Sequence, residues 1–253
     1  MQPSEIDKMH RLEENHWWFQ GKKLLVERFI SSAGIRGGKF LDIGCGTGMF
    51  LKVLANYGSV FGIDVSGQAL AYCRCKVDAN LAQASGDRLP FQDGSFSFVS
   101  LLDIIEHAND DVSVLKEAYR VSKPGGTVLV TVPAFRFLWS NHDTAHHHKR
   151  RYTLSELEEV GKSAGFTVER ITYTNFFIFF PVFLKRTLLR NMSKNAESDL
   201  KETPALINRL LLSLYRLEAF YLATGSFPWG VSLLMLLSKP AGSTTQGRLP
   251  ISD

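Results

Sequence analysis

No stretch of this chain is apolar for long enough to span a bilayer: the most apolar run, 176–184, stops after nine residues at Lys185 and Arg186, whereas a spanning helix needs roughly twenty. Cysteine is scarce. Cys45 lies inside a glycine turn, and Cys73 and Cys75 stand too close together to bridge easily, which excludes a disulfide framework and points to a reducing, cytoplasmic setting. A basic arm is missing too. The 29 Lys and Arg are interleaved with 25 Asp and Glu, so no nucleic-acid partner is expected. Residues 1–7 are neither basic nor apolar, and no signal peptide is expected. Two phosphate-binding signatures are also absent. A dinucleotide fingerprint would put its third glycine at Met49, and no Gly-Lys-Ser/Thr follows the glycine turn.

The 253 residues suffice for one α/β domain with a cap or an insertion. Apolar runs at 39–43, 60–63, 81–84, 96–102 and 126–132 alternate with helical patterns at 48–57 and 111–121. Their hydrophobicity is continuous, not alternating, as in strands covered on both faces. A helix at 155–164 is announced by Thr153 and Glu156 as a capping box and ended by Gly165, and further strands are expected at 166–174 and 231–237. The expected fold is α/β, a doubly wound, mostly parallel, seven-stranded Rossmann-like sheet. A helical cap (1–38, one helix from 5 to 33) precedes a core of 39–175 and 230–240. An apolar helical insertion (176–229) separates strands six and seven, and 241–253 reads as a flexible tail.

Gly44, Gly46 and Gly48 follow the first strand, where missing side chains let backbone approach a ligand. Asp64, followed by Val65, ends the second strand, where a carboxylate accepts two ribose hydroxyls. Asp87 is suited to an adenine amino group and the Arg88 amide to a ring nitrogen. That combination asks for an adenosine without pyrophosphate. The strings FLDIGCGTG, GDRLPF, DIIEH and KPGGT together resemble class I S-adenosylmethionine-dependent methyltransferases over 39–132, of the type-11 and ubiquinone-pathway kind. The resemblance implies that Asp42 and the glycine turn hold the methionine part of S-adenosylmethionine, with Leu102 and Asp103 beside it.

A sulfonium methyl is already activated, so the protein has mainly to align the acceptor and exclude water. A hydroxyl acceptor must also lose a proton, a task suited to histidine, and four of seven histidines crowd between 141 and 149. His142 and His146 are the candidate catalytic residues, with Arg150 or Arg151 holding an anionic group on the acceptor; the plainer role of Arg151 and Tyr152 is to pin the next helix. The acceptor is expected to be lipid-linked, quinone-like or a saccharide. An N-methyltransferase, or a cofactor- or lipid-binding partner protein without catalysis, fits the same residues. Asp103, Glu106 and His107 resemble the E-x-x-E-H metal pattern of ubiquinone-pathway and small-RNA 2′-O-methyltransferases, with a loop histidine to complete the set; no metal is assigned. His16 to Phe19 with Lys22 and Lys23 suggest a lid over the cofactor, the cations near its carboxylate. The aromatic run from 176 with Lys185, Arg186 and Arg190 suggests peripheral contact, through 176–190, with the inner face of a membrane.

Overall fold

The computed structural model describes residues 3–188 and 202–241. Most of the polar segment at 191–203, Arg190 and almost all of the expected tail lie outside the described residues. The chain runs α1 (Pro3–Leu12), α2 (Trp17–Ser32), β1 (Lys39–Ile43), α3 (Met49–Leu54), β2 (Ser59–Asp64), α4 (Gly67–Lys76), β3 (Asn80–Gln83) and β4 (Phe96–Leu102). It continues through α5 (Asp111–Val121), β5 (Ser122–Pro133), α6 (Asn141–Ala145), α7 (Leu154–Ser163), β6 (Thr167–Thr174), α8 (Phe179–Leu188), α9 (Ala205–Tyr221) and β7 (Ser232–Ser238).

The seven strands form one sheet in the order β3-β2-β1-β4-β5-β7-β6. All pairs are parallel except those of β7, which runs antiparallel between β5 and β6. From β1 the chain winds outward to β3, then returns to build from β4 in the opposite direction. That reversal opens a crevice above the carboxyl ends of β1 and β4, where ligands bind in such sheets. The continuous hydrophobicity of the strands has a direct cause. Phe40, Phe98, Leu129 and Leu234 pack on one face with α2, α3, α4 and α9, while Leu41, Val99, Val128, Val130 and Met235 pack on the other with α5 and α7.

The amino-terminal segment is two helices, not one. His16 caps α2 by accepting the Trp18 amide on Nδ1 at 3.3 Å, and Gln20 Nε2 donates to the Glu13 and Glu14 carbonyls at 3.0 and 2.8 Å. The break lets Glu13 turn inward to Thr47, whose Oγ1 donates to it at 2.5 Å, and to Lys76. Asp103, Glu106 and His107 do not share a continuous helix. Asp103 sits at φ 59°, its amide donating to the Thr131 carbonyl at 3.0 Å, and only 105–107 close a 3₁₀ turn. The Thr153–Glu156 capping box is present as expected.

The cap and α9 pack on one another. Trp17 donates its amide to Asn208 Oδ1 at 2.8 Å, and Tyr215, Ala219 and Leu222 share a core with Leu25, Val26 and Phe29. Gly21 is where α2 approaches α9 most closely, since a Cβ there would lie 2.2 Å from the Tyr215 ring. Gly21→Ala is therefore expected to overpack this contact and cost about 1–3 kcal/mol. A urea-denaturation midpoint equal to wild type would contradict that packing.

Candidate functional site

A cavity of about 1220 Å³ opens above the carboxyl ends of β1, β2 and β4. Its floor is the β1–α3 turn. Gly44 has φ 75°, and a Cβ there would lie 2.0 Å from Ile104 Cδ1, so only glycine fits. Gly46 lines the cavity, whereas Gly48 (φ 90°) stands behind the floor against Cys73. Asp64 ties this turn to the next strand: Oδ2 accepts the Gly46 amide at 2.9 Å and Oδ1 the Ser66 amide at 2.8 Å. A carboxylate has about four acceptor sites, so both oxygens keep capacity for a ligand. Val65, Asp87, Leu102 and Asp103 also line the cavity.

Two further expected site residues sit elsewhere. Asp42 lies beneath the floor, buried, accepting the Ser100 hydroxyl at 2.6 Å; burial pushes its carboxyl up to about 7. The Arg88 amide, expected to meet a ring nitrogen, donates to the Ser85 carbonyl at 3.2 Å, and its side chain does not line the cavity. Arg151, expected to hold the acceptor, borders the cavity but is buried and committed. Its Nε and Nη2 donate to the two oxygens of Asp143 at 2.7 and 3.1 Å, and Nη1 to the Ala134 carbonyl at 2.9 Å. The guanidinium closes the loop onto the end of β5.

The roof comes from α1 and α2. Ile6, Met9, Trp17, Trp18 and Phe19 face the cavity, and Lys22 reaches in to Asp103 and, at 3.4 Å, to Thr131 Oγ1. Burial would raise the Asp103 carboxyl, but the Lys22 charge and the bonds from Lys22 and Thr131 (2.8 Å) hold it below the usual range. Lys23 points away and pairs with Glu27 at 4.0 Å.

The far wall is the imidazole cluster. His142 and His146 lie one turn apart, ring centroids 4.3 Å from each other, and His148 is 5.9 and 6.0 Å from them. His107 meets His148 edge-on at 4.8 Å. Burial and His148 lower the pKa of His107 to about 4, and they lower that of His146. Glu106 is fully buried beneath them, with neither oxygen hydrogen-bonded among the described residues, and burial holds its carboxyl well above the ordinary range. Glu106, His107 and His148 bring one ligand atom each within 4.8 Å of one another, a carboxylate–imidazole set that suits a divalent cation. Asp103 stands outside that set, held by Lys22. Val182, Lys185 and Arg186 of α8 close the wall, and Arg186 Nη1 donates to the Leu138 carbonyl at 2.6 Å. Nothing in the sequence pattern signals that α8 reaches the cavity, nor that Asp143 is fully buried.

Residues 41–130 match the methyltransferase-domain family. A probable S-adenosylmethionine-dependent methyltransferase of Mycolicibacterium smegmatis is 29% identical over 162 residues, 62% of either chain. The ubiquinone biosynthesis O-methyltransferase of Pseudomonas aeruginosa is 32% identical over 144 residues, 51% of this chain and 62% of its own. That of Thiobacillus denitrificans is 29% identical over 235 residues, covering 85% and 91%. The match thus spans under two thirds of the first two relatives. Among solved structures, a Haloferax volcanii putative methyltransferase in complex with the Trm112 activator superposes with a TM-score of 0.61 at 20% identity, covering 94% and 95%. A putative methyltransferase of Bacillus halodurans gives 0.59 at 21%, covering 85% and 98%. These similarities are to the fold. Residues 41–130, which run from β1 to β5 of the sheet, thus match a methyltransferase domain, and the chain as a whole is similar to S-adenosylmethionine-dependent methyltransferases.

Proposed function

We propose that the protein transfers the methyl group of S-adenosylmethionine to a hydroxyl of a small, lipid-linked, quinone-like or saccharide acceptor. The observation that carries this reading is the cluster of His142, His146 and His148 across one cavity from the glycine turn. In it, Asp64 takes the ribose hydroxyls, Asp87 the adenine, and the turn with Leu102 the methionine part. Lys22 meets the ligand carboxylate. The acceptor oxygen attacks the methyl carbon in line as the carbon–sulfur bond breaks, its proton passing to an imidazole and S-adenosylhomocysteine leaving. A roof of Trp17, Trp18 and Phe19 keeps water out.

Calorimetry with S-adenosylhomocysteine is expected to show one site, and tritiated methyl transfer into fractionated lipid and polar extracts of the source cell to mark the acceptor. Absence of binding to the folded protein would end the reading. If nitrogen is methylated instead, single replacements of His142, His146 and His148 all keep wild-type incorporation, because no base is then required.

We also propose that α8 rests on a membrane surface. Phe180, Phe183 and Leu184 are exposed there beside Lys185 and Arg186, and Phe137 stands against Phe183 at 5.8 Å. Bulky apolar groups next to cations suit an anionic bilayer interface. No helix among the described residues is long and apolar enough to cross a membrane. Anionic liposomes are expected to carry the protein upward in flotation, and a Phe180→Ser/Phe183→Ser variant to stay below. Absence of flotation by the wild type removes the idea.

A further inference from the structure

Asp143 is the one acid of the histidine loop, has no exposure to solvent, and has every acceptor position taken. Oδ1 faces His148 Nδ1 at 2.9 Å and Arg151 Nε at 2.7 Å; Oδ2 faces Arg151 Nη2 at 3.1 Å, the Ser140 amide at 2.8 Å and the Ser140 hydroxyl at 3.3 Å. Arg151 Nε and Nη2 and the Ser140 amide can only donate, so the carboxyl receives at both oxygens. An ionised carboxylate can only accept, so the hydrogen between Asp143 and His148 belongs to Nδ1. In the neutral ring that leaves the lone pair on Nε2. His148 lines the cavity next to His107, and with Nδ1 on Asp143 its remaining nitrogen is Nε2.

We propose that Asp143, gripped by Arg151, is a positioning residue that fixes His148 in the Nδ1–H form and so presents the Nε2 lone pair to the acceptor hydroxyl. The proposal rests on the O-methyl reading above and identifies which imidazole serves it: His148, whose Nδ1 meets a fully buried carboxylate that is itself held by a guanidinium.

The contacts dictate how an amide would behave at this position. In Asp143→Asn, an amide oxygen placed at Oδ1 would turn the NH₂ toward two donors, the Ser140 amide and Arg151 Nη2. Placed at Oδ2, it satisfies both and leaves the NH₂ against Arg151 Nε and His148 Nδ1. The second arrangement has one donor–donor conflict instead of two. It also obliges Nδ1 to accept, which moves the proton to Nε2 and blocks the lone pair the acceptor needs. The same wrong-tautomer logic operates when the aspartate of a serine-protease triad becomes asparagine.

The test is ¹⁵N–¹H correlation NMR of histidine-labelled protein saturated with S-adenosylhomocysteine, with His148 assigned by its loss in His148→Gln, alongside tritiated methyl incorporation into cell extract. The expected result is an Nδ1–H ring at His148 in the wild type and an Nε2–H ring in Asp143→Asn. That variant should keep its S-adenosylhomocysteine affinity and lose about 10²- to 10⁴-fold in incorporation, the range of general-base contributions. Breaking the buried pair with Arg151 lowers the thermal midpoint in either case, whereas a merely structural Asp143 would leave the tautomer alone. An Nε2–H ring in the wild type overturns the proposal even if the variant does not fold, and so does wild-type incorporation by a folded Asp143→Asn. If the wild type binds S-adenosylhomocysteine and labels only nitrogen, the O-methyl reading fails, while the NMR result still decides whether Asp143 sets the ring.

Discussion

Replacing Asp64 by alanine is expected to weaken S-adenosylhomocysteine binding by about 10²- to 10⁴-fold. Under the proposed function its carboxylate takes both ribose hydroxyls, and hydrogen bonds to a charged group contribute about 1.5–3 kcal/mol each. The residue has a second duty. It accepts the Gly46 and Ser66 amides, so alanine also unties the glycine turn from β2 and leaves two amides to find water. Asp64→Asn separates the two effects, because one amide oxygen retains the shape but cannot serve every donor. An affinity for the Asn variant midway between wild type and the Ala variant is expected by calorimetry; an Ala variant that binds as well as wild type would mean that the cofactor sits elsewhere.

Arg151→Met is expected to cost about 3–5 kcal/mol in unfolding free energy, the effect of removing one partner of a buried ion pair. The reason is Asp143, which would keep its charge in a site without solvent. Arg151→Lys should recover only part, since an ammonium cannot donate to both Asp143 oxygens and to the Ala134 carbonyl in the fork geometry of a guanidinium. If Arg151 instead held the acceptor, stability would barely change and only turnover would fall. Chemical denaturation distinguishes these outcomes without knowledge of the acceptor.

Much of the scaffold was readable from the residues because its causes are local. β1, β4 and α5 have the boundaries their apolar runs and caps indicate, and the box at Thr153 needs only Glu156 three positions on. That Gly44, Gly46, Asp64 and Asp87 line one cavity also follows from local order, since all four lie at or just beyond the carboxyl ends of strands, where a doubly wound sheet opens its crevice. What was not readable involves partners far apart in the chain. The helix break at 13–16 is explained by Thr47 and Lys76. The turn at Asp103 depends on Lys22 and Thr131, and the lining role of α8 on the return of the chain over β5. Arg151 looked available because nothing near it in the pattern announced Asp143 as a buried acid. Asp143 itself reads as the third residue of a capping box on Ser140, a local motif that hides its longer-range contacts.

The order in which the strands are laid side by side differs from the order in which they are made. Among the described residues β6 has no strand neighbour except β7, and β7 ends at Ser238; the roof over the cavity leans on α9, with Trp17 and Asn208 joined across 191 positions. Contacts of such sequence separation form late and slowly. On the ribosome, the core through β5 can assemble early, while β6 must wait for the last strand and the amino-terminal helices for residues about 190 positions downstream. A nascent chain stopped before α9 would have a binding floor whose roof has nothing to lean on.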